Sequence, residues 1–359
     1  MACIVKASVE RKTMLRTILV WIHHVGIIEL FSIYFLVMNL FTFLLYGIDK
    51  YRAMKDKWRI RESSLIFFTL FCGGIGAWLA MRVFRHKKNK LKFRICIGLG
   101  LIIALIPIIH IVHGFTLDRT IRYTEITFQA ENWPERQNGY RIAFMTDFHK
   151  ISDAQMAEIV NELNEREIDL LLLGGDFATR NAHYQGTLRE IARVSTTDGI
   201  FGVEGNHDNY QGLFAAMQYH GIGILDNSSV QIGEGFIIAG VRDLWNGNAD
   251  VAAAVYGVNP DDFILLVSHH PDVSMQQSTV GIDLILAGHT HGGQITLFGF
   301  PMYLLLGTIS DYGTRFAYGF AQSADGVPVF TSSGVGDYYN WPRIFARPEV
   351  VIFTMYHTR

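Results

Sequence analysis

Two kinds of hydrophobic pattern divide the sequence near residue 113. Before this point, residues 30–48, 64–81 and 95–112 lack Asp, Glu, Lys and Arg. Each stretch is about as long as a helix needs to be to cross ~30 Å of hydrocarbon. After this point, short apolar runs alternate with helical and turn-like segments. The pattern predicts an all-α transmembrane region with about three helices over residues 1–113, followed by one α/β domain over residues 114–359.

Apolar runs in the second half repeatedly end in a polar cluster. Such runs occupy residues 141–146, 169–173, 199–203, 263–267 and 282–287. Helical spacing over residues 154–163 links the first two runs into a β-α-β unit. Ligands bind beyond the carboxyl ends of strands in α/β sheets, so we expect the clusters to converge on one rim. Residues 327–331 and 349–355 predict further strands that close a sandwich.

The charges are distributed unequally between the two halves. Residues 1–113 contain 17 Lys and Arg against 5 Asp and Glu, whereas the remaining residues contain 14 against 28. A basic, apolar half is typical of a segment that meets anionic headgroups. The acidic half argues against a nucleic-acid-binding surface. All three cysteines lie in the first half, so the second half has neither a disulfide nor a thiolate zinc site.

The orientation in the membrane depends on two basic loops, at residues 50–61 and 82–94. With three spans, only one of these loops obeys the positive-inside rule. The second loop is crowded against the last span, and the basic residues of the amino terminus join it on the inside, so we place everything after His113 outside the cytoplasm. The alternative, in which the first loop governs, places the catalytic half in the cytoplasm.

Residues 38–94 resemble a short bacterial membrane module of unknown function. The resemblance rests on residues 39–50, Arg59-Ile-Arg-Glu62, Gly73-Gly74 and Arg85-His86-Lys87. It implies a bacterial origin and a membrane setting, and it assigns no chemistry. We interpret Asp49 and Lys50, at the end of a span, as interfacial anchors.

The polar clusters supply oxygen and nitrogen donors and no thiolate. Asp-x-His at 147–149 and His-x-His at 289–291 each place two side chains on the same side of an extended segment, within reach of a shared centre. The mixture suits Mn, Fe or Zn better than Ca or Cu(I). The candidate residues are Asp147, His149, Asp176, Asn206, His207, Asp208, His269, His289 and His291.

These clusters resemble the ordered motifs of the calcineurin-like metallophosphoesterases. The motifs are Asp147-Phe-His149, Gly175-Asp176, Gly205-Asn-His-Asp208, His269-His-Pro271 and Gly288-His-Thr-His-Gly-Gly-Gln294. The likeness covers about residues 140–356, and its last motif is similar to that of a bacterial membrane-associated phosphodiesterase branch. It implies an α/β fold, namely a metallophosphoesterase-type β-sandwich flanked by helices.

The resemblance also implies two divalent metal ions, which would be Mn, Fe or Zn. One ion would be bound by Asp147, His149 and His291, the other by Asn206, His269 and His289, with Asp176 bridging. Two such ions ~3.5–4 Å apart generate hydroxide from a shared water and clamp the phosphoryl oxygens. His207 would then protonate the leaving alkoxide, with Asp208 orienting its ring.

The predicted function is that of a membrane-anchored phosphodiesterase or pyrophosphatase that hydrolyses an envelope or lipid-linked phosphoester by attack of a metal-bridging hydroxide. A tether raises the effective concentration of the site toward lipid-anchored substrates. Two alternatives remain. One is hydrolysis of the UDP-2,3-diacylglucosamine pyrophosphate bond in lipid A synthesis, which favours a cytoplasmic face. The other is a non-catalytic membrane accessory or binding protein.

Some residues have competing interpretations. His270 is the alternative to His269 as a ligand, and Gly174-Gly175-Asp176-Phe177 also matches a diguanylate cyclase signature. We interpret the alternating residues Trp341, Arg343, Phe345 and Arg347 as an edge leading into the last strand, and His183, His220 and His357 as structural or solvated. Tyr210 is a candidate for the substrate pocket, whose other residues are unknown.

Overall fold

The computed structural model describes residues 27–116, 120–179, 184–208, 212–297, 300–301, 309–338 and 342–358. The chain divides into two compact units, Met1–Val112 and His113–Arg359. In the first unit the helices are α1 (Ile27–Met54), α2 (Glu62–Phe68), α3 (Gly74–Val83) and α4 (Leu91–Thr116), the last of which continues past residue 112. The spans predicted at 30–48 and 95–112 lie inside α1 and α4.

Helices α1 and α4 present large apolar side chains to their surroundings. On α1, Leu36 is 69% exposed and Leu40 57%, and on α4, Ile102 is 59% exposed and Ile109 57%. A soluble protein rarely exposes contiguous apolar surface on this scale, whereas hydrocarbon accepts it. By length and composition, Ser32–Met54 and Glu62–Val83 are both apolar enough to cross a membrane.

Residues 64–81 do not form the continuous span that the sequence predicted. A short π-helical turn at Thr69–Gly73 separates α2 from α3, and within it Phe71 and Cys72 leave helical geometry, with Cys72 at φ 64°. Left-handed backbone at a residue with a Cβ costs energy and breaks the helix. The stretch is apolar throughout, as the sequence indicated, but composition does not reveal a reversal of direction.

The second unit contains two six-stranded sheets and helices α5 (Asp153–Glu165), α6 (Tyr184–Ile191), α7 (Leu213–Tyr219), α8 (Val251–Ala254) and α9 (Val273–Gln276). The first sheet has the order β1-β14-β2-β3-β4-β5, with strands Arg122–Ala130, Glu349–His357, Tyr140–Met145, Leu170–Leu173, Ile200–Gly202 and Gly223–Ile224. The second has the order β12-β13-β9-β8-β7-β6, with strands Gly319–Gln322, Pro328–Thr331, Leu284–Ala287, Phe263–Ser268, Phe236–Gly240 and Ser228–Gly233. Strands β10 (Thr296–Leu297) and β11 (Phe300–Pro301) form a small separate ribbon.

Alternating side chains of each central strand enter different hydrophobic cores. From β2, Ile142 and Phe144 point between the sheets, and Ala143 and Met145 point toward the helices beside the first sheet. The same period of two divides Leu265 from Leu266 on β8. This is why the strands are continuously apolar, since both faces of each sheet are buried. The arrangement confirms an α/β sandwich of two sheets flanked by helices.

The first and last strands of this unit pair with each other. Strand β1 is parallel to β14 over nine residue pairs from Arg122–Glu349 to Ala130–His357, and β14 is antiparallel to β2. The predicted strands agree with the observed ones to within two residues at most boundaries. The predicted convergence of the polar clusters is confirmed. They do not come from a single sheet, however, because β2, β3 and β4 belong to the first sheet and β8 and β9 to the second.

Candidate metal centre

The predicted ligands lie in the loops that directly follow the central strands. Asp147 and His149 follow β2, Asp176 follows β3, Asn206 follows β4, His269 follows β8, and His289 and His291 follow β9. Five of these have left-handed backbone: Asp147, His149, Asp176, His289 and His291 have φ between 36° and 70°. Such conformations cost about 1–3 kcal/mol each and cluster at functional sites. The loops are therefore bent to direct these side chains inward.

A first group of donor atoms surrounds the end of β2. His149 Nε2 lies 3.1 Å from His291 Nε2, and His291 Nε2 lies 3.4 Å from Asp147 Oδ1. Asp176 Oδ2 lies 3.3 Å from His149 Nε2. The side chains are buried, and His149 Nδ1, on the outer side of its ring, contacts Thr179 Oγ1 at 3.3 Å.

A second group shares Asp176 with the first. His269 Nε2 lies 3.4 Å from Asp176 Oδ2 and 3.0 Å from Asn206 Oδ1, which in turn lies 2.8 Å from His289 Nδ1. The same oxygen, Asp176 Oδ2, is thus within 3.4 Å of an imidazole nitrogen on each side. The structure brings together all seven residues that the sequence proposed as ligands, in the two sets that the resemblance implied.

The tautomers of the second group suit a cation. His269 Nδ1 donates to Gly174 O at 2.7 Å, and His289 Nε2 donates to Ile309 O at 3.1 Å. Each ring thus keeps its second nitrogen for Asn206 Oδ1 and Asp176, which present lone pairs. These acceptors repel one another unless positive charge lies among them, supplied by a proton on His269 or by a metal ion that replaces it. Atoms bound about 2.0–2.2 Å from one ion lie about 3 Å apart, as these do. The residues therefore fit divalent metal ions.

The electrostatics of the centre favour positive charge. Burial opposes ionisation of Asp176, but the imidazoles of His269 and His149 outweigh it and hold the pKa of Asp176 well below its ordinary value. Burial disfavours charge on His269, yet Asp176 raises the pKa of His269 to about 10. For His291, burial and the neighbouring His149 lower the pKa well below the ordinary value. An ionised, buried carboxylate among imidazoles attracts a cation.

Two glycines allow the loops after β3 and β4 to touch. A Cβ added to Gly205 would lie 2.3 Å from Asp176 Oδ1, and one added to Gly175 would lie 2.4 Å from Gly205 N. Real Cβ atoms do not approach so closely, and Gly175 also has φ 88°. The glycines of the two motifs therefore bring the Asp176 carboxylate next to Asn206.

Asp208 does not orient the ring of His207, contrary to the expectation from sequence. Its Oδ2 accepts hydrogen bonds from Asp176 N at 2.6 Å and Gly205 N at 2.8 Å, and its Oδ1 accepts from Phe177 N at 2.8 Å. Burial, followed by repulsion from Asp176, raises the pKa of Asp208 well above its ordinary value. The residue holds the loops after β3 and β4 together.

His207 lies at the mouth of the centre with a half-buried ring. Its backbone N–H donates to Asp176 Oδ1 at 2.8 Å, and its ring centroid lies 5.3 Å from that of His149. Burial lowers the pKa of His207 below its ordinary value. An imidazole in this position can exchange a proton, or share a hydrogen bond, with a reacting phosphoester.

Sequence reasoning missed Tyr338, whose ring closes one side of the site. Its centroid lies 5.2 Å from those of His149 and His207. The side chain of Gln294 fixes it by donating to Tyr338 O at 3.1 Å and accepting from Tyr338 N at 3.3 Å. The sequence signal that could have indicated Tyr338 was Gln294, the final residue of the last motif, for which the sequence suggested no hydrogen-bond partner.

A second missed residue, Trp245, stands beside the second donor group. The residue is 54% exposed, and the centroid of its ring lies 4.7 Å from that of His289. Asp243 Oδ1 accepts from the backbone N–H groups of Trp245 and Asn246, at 3.0 and 2.8 Å, and Asn246 Nδ2 donates to Asn206 O at 2.8 Å. A tight turn tied to a proposed ligand therefore presents an exposed aromatic ring.

Other sequence candidates do not belong to the two donor groups. His270 packs against Trp245 and His289 and does not contribute to either donor group, so the geometry favours His269. Arg343 is buried, and it donates to Ser333 O at 2.7 Å and Ala346 O at 3.1 Å. It thus stabilises a loop and does not present its charge to solvent. Tyr210, His183 and Trp341 lie outside the described residues.

Comparisons with known proteins agree with this geometry. Residues 140–293 match the model of the calcineurin-like phosphoesterase family, and residues 39–93 match a protein family of unknown function, DUF1294. An uncharacterised metallophosphoesterase of Campylobacter jejuni is 25% identical over 91% of this chain and 89% of its own length. Phosphodiesterase YaeI of Escherichia coli is 28% identical over 60% of this chain and 82% of its own.

Similar proteins also include a membrane protein and a structurally characterised one. A transmembrane protein with metallophosphoesterase domain from Danio rerio is 26% identical over 64% of this chain and 56% of its own length. A solved dimetal phosphatase from Danio rerio is 10% identical, with a TM-score of 0.34, over 55% of this chain and 88% of that one. With the apolar helices, the transmembrane relatives indicate membrane association. Following a DUF1294 module, this chain contains a calcineurin-like metallophosphoesterase domain, which is a metal-dependent phosphoester hydrolase.

Proposed function

We propose that this chain is a membrane-anchored phosphodiesterase or pyrophosphatase that uses two divalent cations. The observation that carries the proposal is the shared position of Asp176 Oδ2, which lies 3.3 Å from His149 Nε2 and 3.4 Å from His269 Nε2. One carboxylate oxygen between two nitrogen groups is the arrangement expected of a bridging ligand. Asp147, His149 and His291 would complete one site, and Asn206, His269 and His289 the other.

The chain's own residues would carry the remaining steps. Bound divalent cations supply Lewis acidity toward the phosphoryl oxygens and lower the pKa of water. His207, at the mouth, would donate a proton to the leaving alkoxide or stabilise its charge. Tyr338 and Trp245 would border the substrate on opposite sides, and Asp208 would keep the bridging carboxylate in position through the backbone of Asp176.

A lipid-linked phosphoester is the substrate class that we propose. The exposed apolar surfaces of α1 and α4 support a membrane anchor, and an anchored site gains effective concentration toward substrates in the same surface. The basic character of the first half supports an extracytoplasmic position for the catalytic unit.

Hydrolysis of an aryl phosphodiester tests the proposed chemistry. The full chain, purified in detergent with Mn²⁺, should hydrolyse bis(p-nitrophenyl) phosphate, and His207→Ala should reduce kcat by about 100-fold or more. His220→Ala is the matched control, because His220 lies at the end of α7, outside the donor groups. Equal rates for the two variants would contradict the role of His207, and inactivity with Mn²⁺, Fe²⁺ and Zn²⁺ would contradict the phosphodiesterase proposal.

A second assay tests the substrate class. In reconstituted vesicles, a diacylglycerol p-nitrophenyl phosphodiester should be cleaved with a higher kcat/KM than its water-soluble counterpart. Equal values would show that the anchor does not select lipid-linked substrates. Cleavage of UDP-diacylglucosamine in preference to both would favour the lipid A alternative instead.

A further inference from the structure

Both ends of the segment between α1 and α4 reach one buried carboxylate. This carboxylate is that of Asp49, near the end of α1. It accepts a hydrogen bond from the backbone N–H of Ile60, which precedes α2, at 3.0 Å. It also contacts two residues that follow α3, His86 through Nε2 at 2.7 Å and Lys87 through Nζ at 3.0 Å. A straight helix over Glu62–Val83 would separate these residues by about 33 Å. The segment therefore turns back on itself and ends beside its own start.

The reversal lies near the middle of α1, where Asn39 supports it. Asn39 Nδ2 donates to Cys72 O at 2.9 Å, and Asn39 Oδ1 accepts from Gly76 N at 2.8 Å. A Cβ on Gly76 would lie 2.0 Å from Asn39 O, so only glycine allows this approach. Non-helical backbone at membrane depth is tolerated only where protein satisfies its polar groups. Asn39 does so at the turn.

Helix α4 extends beyond the level of the turn at Thr69–Gly73. It begins near Glu62, which pairs with Lys90 at 2.6 Å, and its Phe93 contacts Tyr46. Gly100 packs against the backbone of Thr69, at the level of the turn, and the helix continues to Thr116. At 1.5 Å per residue, these further residues add about 24 Å. The helix is long enough to reach the opposite side of a bilayer.

The reversal of direction between α2 and α3 brings the two basic loops, residues 50–61 and 82–94, to one end of this unit. Between and beside the helix ends, exposed basic side chains greatly outnumber acidic ones. They are Arg52, Lys55, Lys57, Arg59, Arg61, Arg82, Arg85, Lys88, Lys90, Lys92 and Arg94. The acidic residues nearby are Asp49, which is buried, Glu62, which is paired with lysines, and Asp56. The excess positive charge is therefore exposed at this end of the unit.

We propose that residues 62–83 enter and leave the bilayer on the same face, so that the two basic loops form one surface that binds anionic phospholipid headgroups at the cytoplasmic face, while α4 crosses to the other face. The positive-inside rule then no longer sets one loop against the other, because both loops lie inside. Each Lys or Arg near an anionic leaflet adds attraction, and the basic residues act together. The proposal is independent of the reaction catalysed.

Cysteine labelling tests the topology in the full chain. In a background with Cys3, Cys72 and Cys96 replaced by Ser, the single variants Lys57→Cys and Lys88→Cys report on the two loops, and Tyr256→Cys reports on the catalytic unit. An impermeant maleimide should label Tyr256→Cys on intact spheroplasts and the other two only after lysis. Labelling of the two loops from opposite sides, or of all three positions from one side, overturns the proposal. Lys55→Cys and Arg85→Cys repeat the comparison if a variant does not accumulate.

Lipid titration tests the partner. The Tm of the detergent-solubilised full chain should rise when the micelles contain phosphatidylglycerol, because a ligand that binds the folded state stabilises it. The Tm should not change when the micelles contain phosphatidylcholine. Combined substitution of Lys55, Lys57, Arg85 and Lys88 by Gln should remove the increase. An equal increase with both lipids, or an increase that survives the substitutions, overturns the headgroup assignment.

Discussion

Individual residues in this site are positioned as much by backbone contacts as by side-chain pairs. Asp208 was predicted to act on His207, but its carboxylate accepts three backbone N–H groups from the loops after β3 and β4. Trp245, which no motif indicated, is held beside His289 by a turn around Asp243. The role of a side chain therefore follows from the atoms around it, and its place in a motif is only a guide.

Asp208→Ala should lower the free energy of unfolding by about 3 kcal/mol or more, because three buried N–H groups lose their acceptor. It should also weaken Mn²⁺ binding, since Asp176 loses the contact that fixes its backbone. Chemical denaturation and calorimetric titration measure the two effects. Asp261→Ala, at an exposed position, should change neither quantity. A variant with normal stability and binding but low kcat would restore the ring-orienting role.

Trp245→Ala should raise KM for an aryl phosphodiester by about fivefold and leave kcat nearly unchanged, because an exposed ring contributes about 1 kcal/mol by stacking on a planar group. Steady-state kinetics with bis(p-nitrophenyl) phosphate measures the separation. Tyr256→Ala, which removes an aromatic ring that is 89% exposed, is the control. A fall in kcat without a change in KM would place Trp245 in the chemical step.

At the scale of elements, the site depends on how closely neighbouring loops approach. The loops after β3 and β4 touch through Gly175 and Gly205, and the parallel pairing of their strands fixes the height at which they leave the sheet. The second sheet contributes its donor residues from the loops after β8 and β9, which are also parallel neighbours. Small shifts of one loop therefore move one donor residue relative to the others.

Gly205→Ala should reduce kcat by about 100-fold, because a Cβ 2.3 Å from Asp176 Oδ1 must displace the Asp176 carboxylate, and misplacement by about 1 Å has effects of this size. Gly186→Ala is the matched control. Gly186 lies within α6, where a Cβ meets no atom closer than 3.8 Å, so alanine should be tolerated or slightly stabilising. Full activity in Gly205→Ala would show that the loops are free to separate.

At the scale of the whole molecule, much of the fold was predictable because its signals are local. An apolar run followed by a polar cluster indicates each central strand of the catalytic unit in the sequence. The strands predicted at residues 141–146 and 263–267 therefore agree closely with the observed ones. The reversal at Cys72 was not predictable, since a turn within an apolar stretch leaves the composition of that stretch unchanged. The contacts of Tyr338 and Trp245 were also missed, because they depend on loops that are distant in sequence.

Chelation should destabilise the whole catalytic unit. With cations at about 1,000 times their Kd, binding contributes about 4 kcal/mol, which corresponds to a change in Tm of about 10 °C for a unit of this size. Calorimetry of the full chain should therefore show a lower Tm in EDTA than in Mn²⁺. In Asp176→Asn the difference should largely disappear. An equal Tm for the wild type in both conditions would indicate that the donor groups bind no cation.

The pairing of β1 with β14 has a consequence for biogenesis. The nine residues that stabilise β1 are synthesised after all the other described strands of this unit, so the first sheet cannot close until β14 has left the ribosome. Until then β1 lacks its only strand neighbour in that sheet. The catalytic unit would then acquire its compact form only after β14 has emerged.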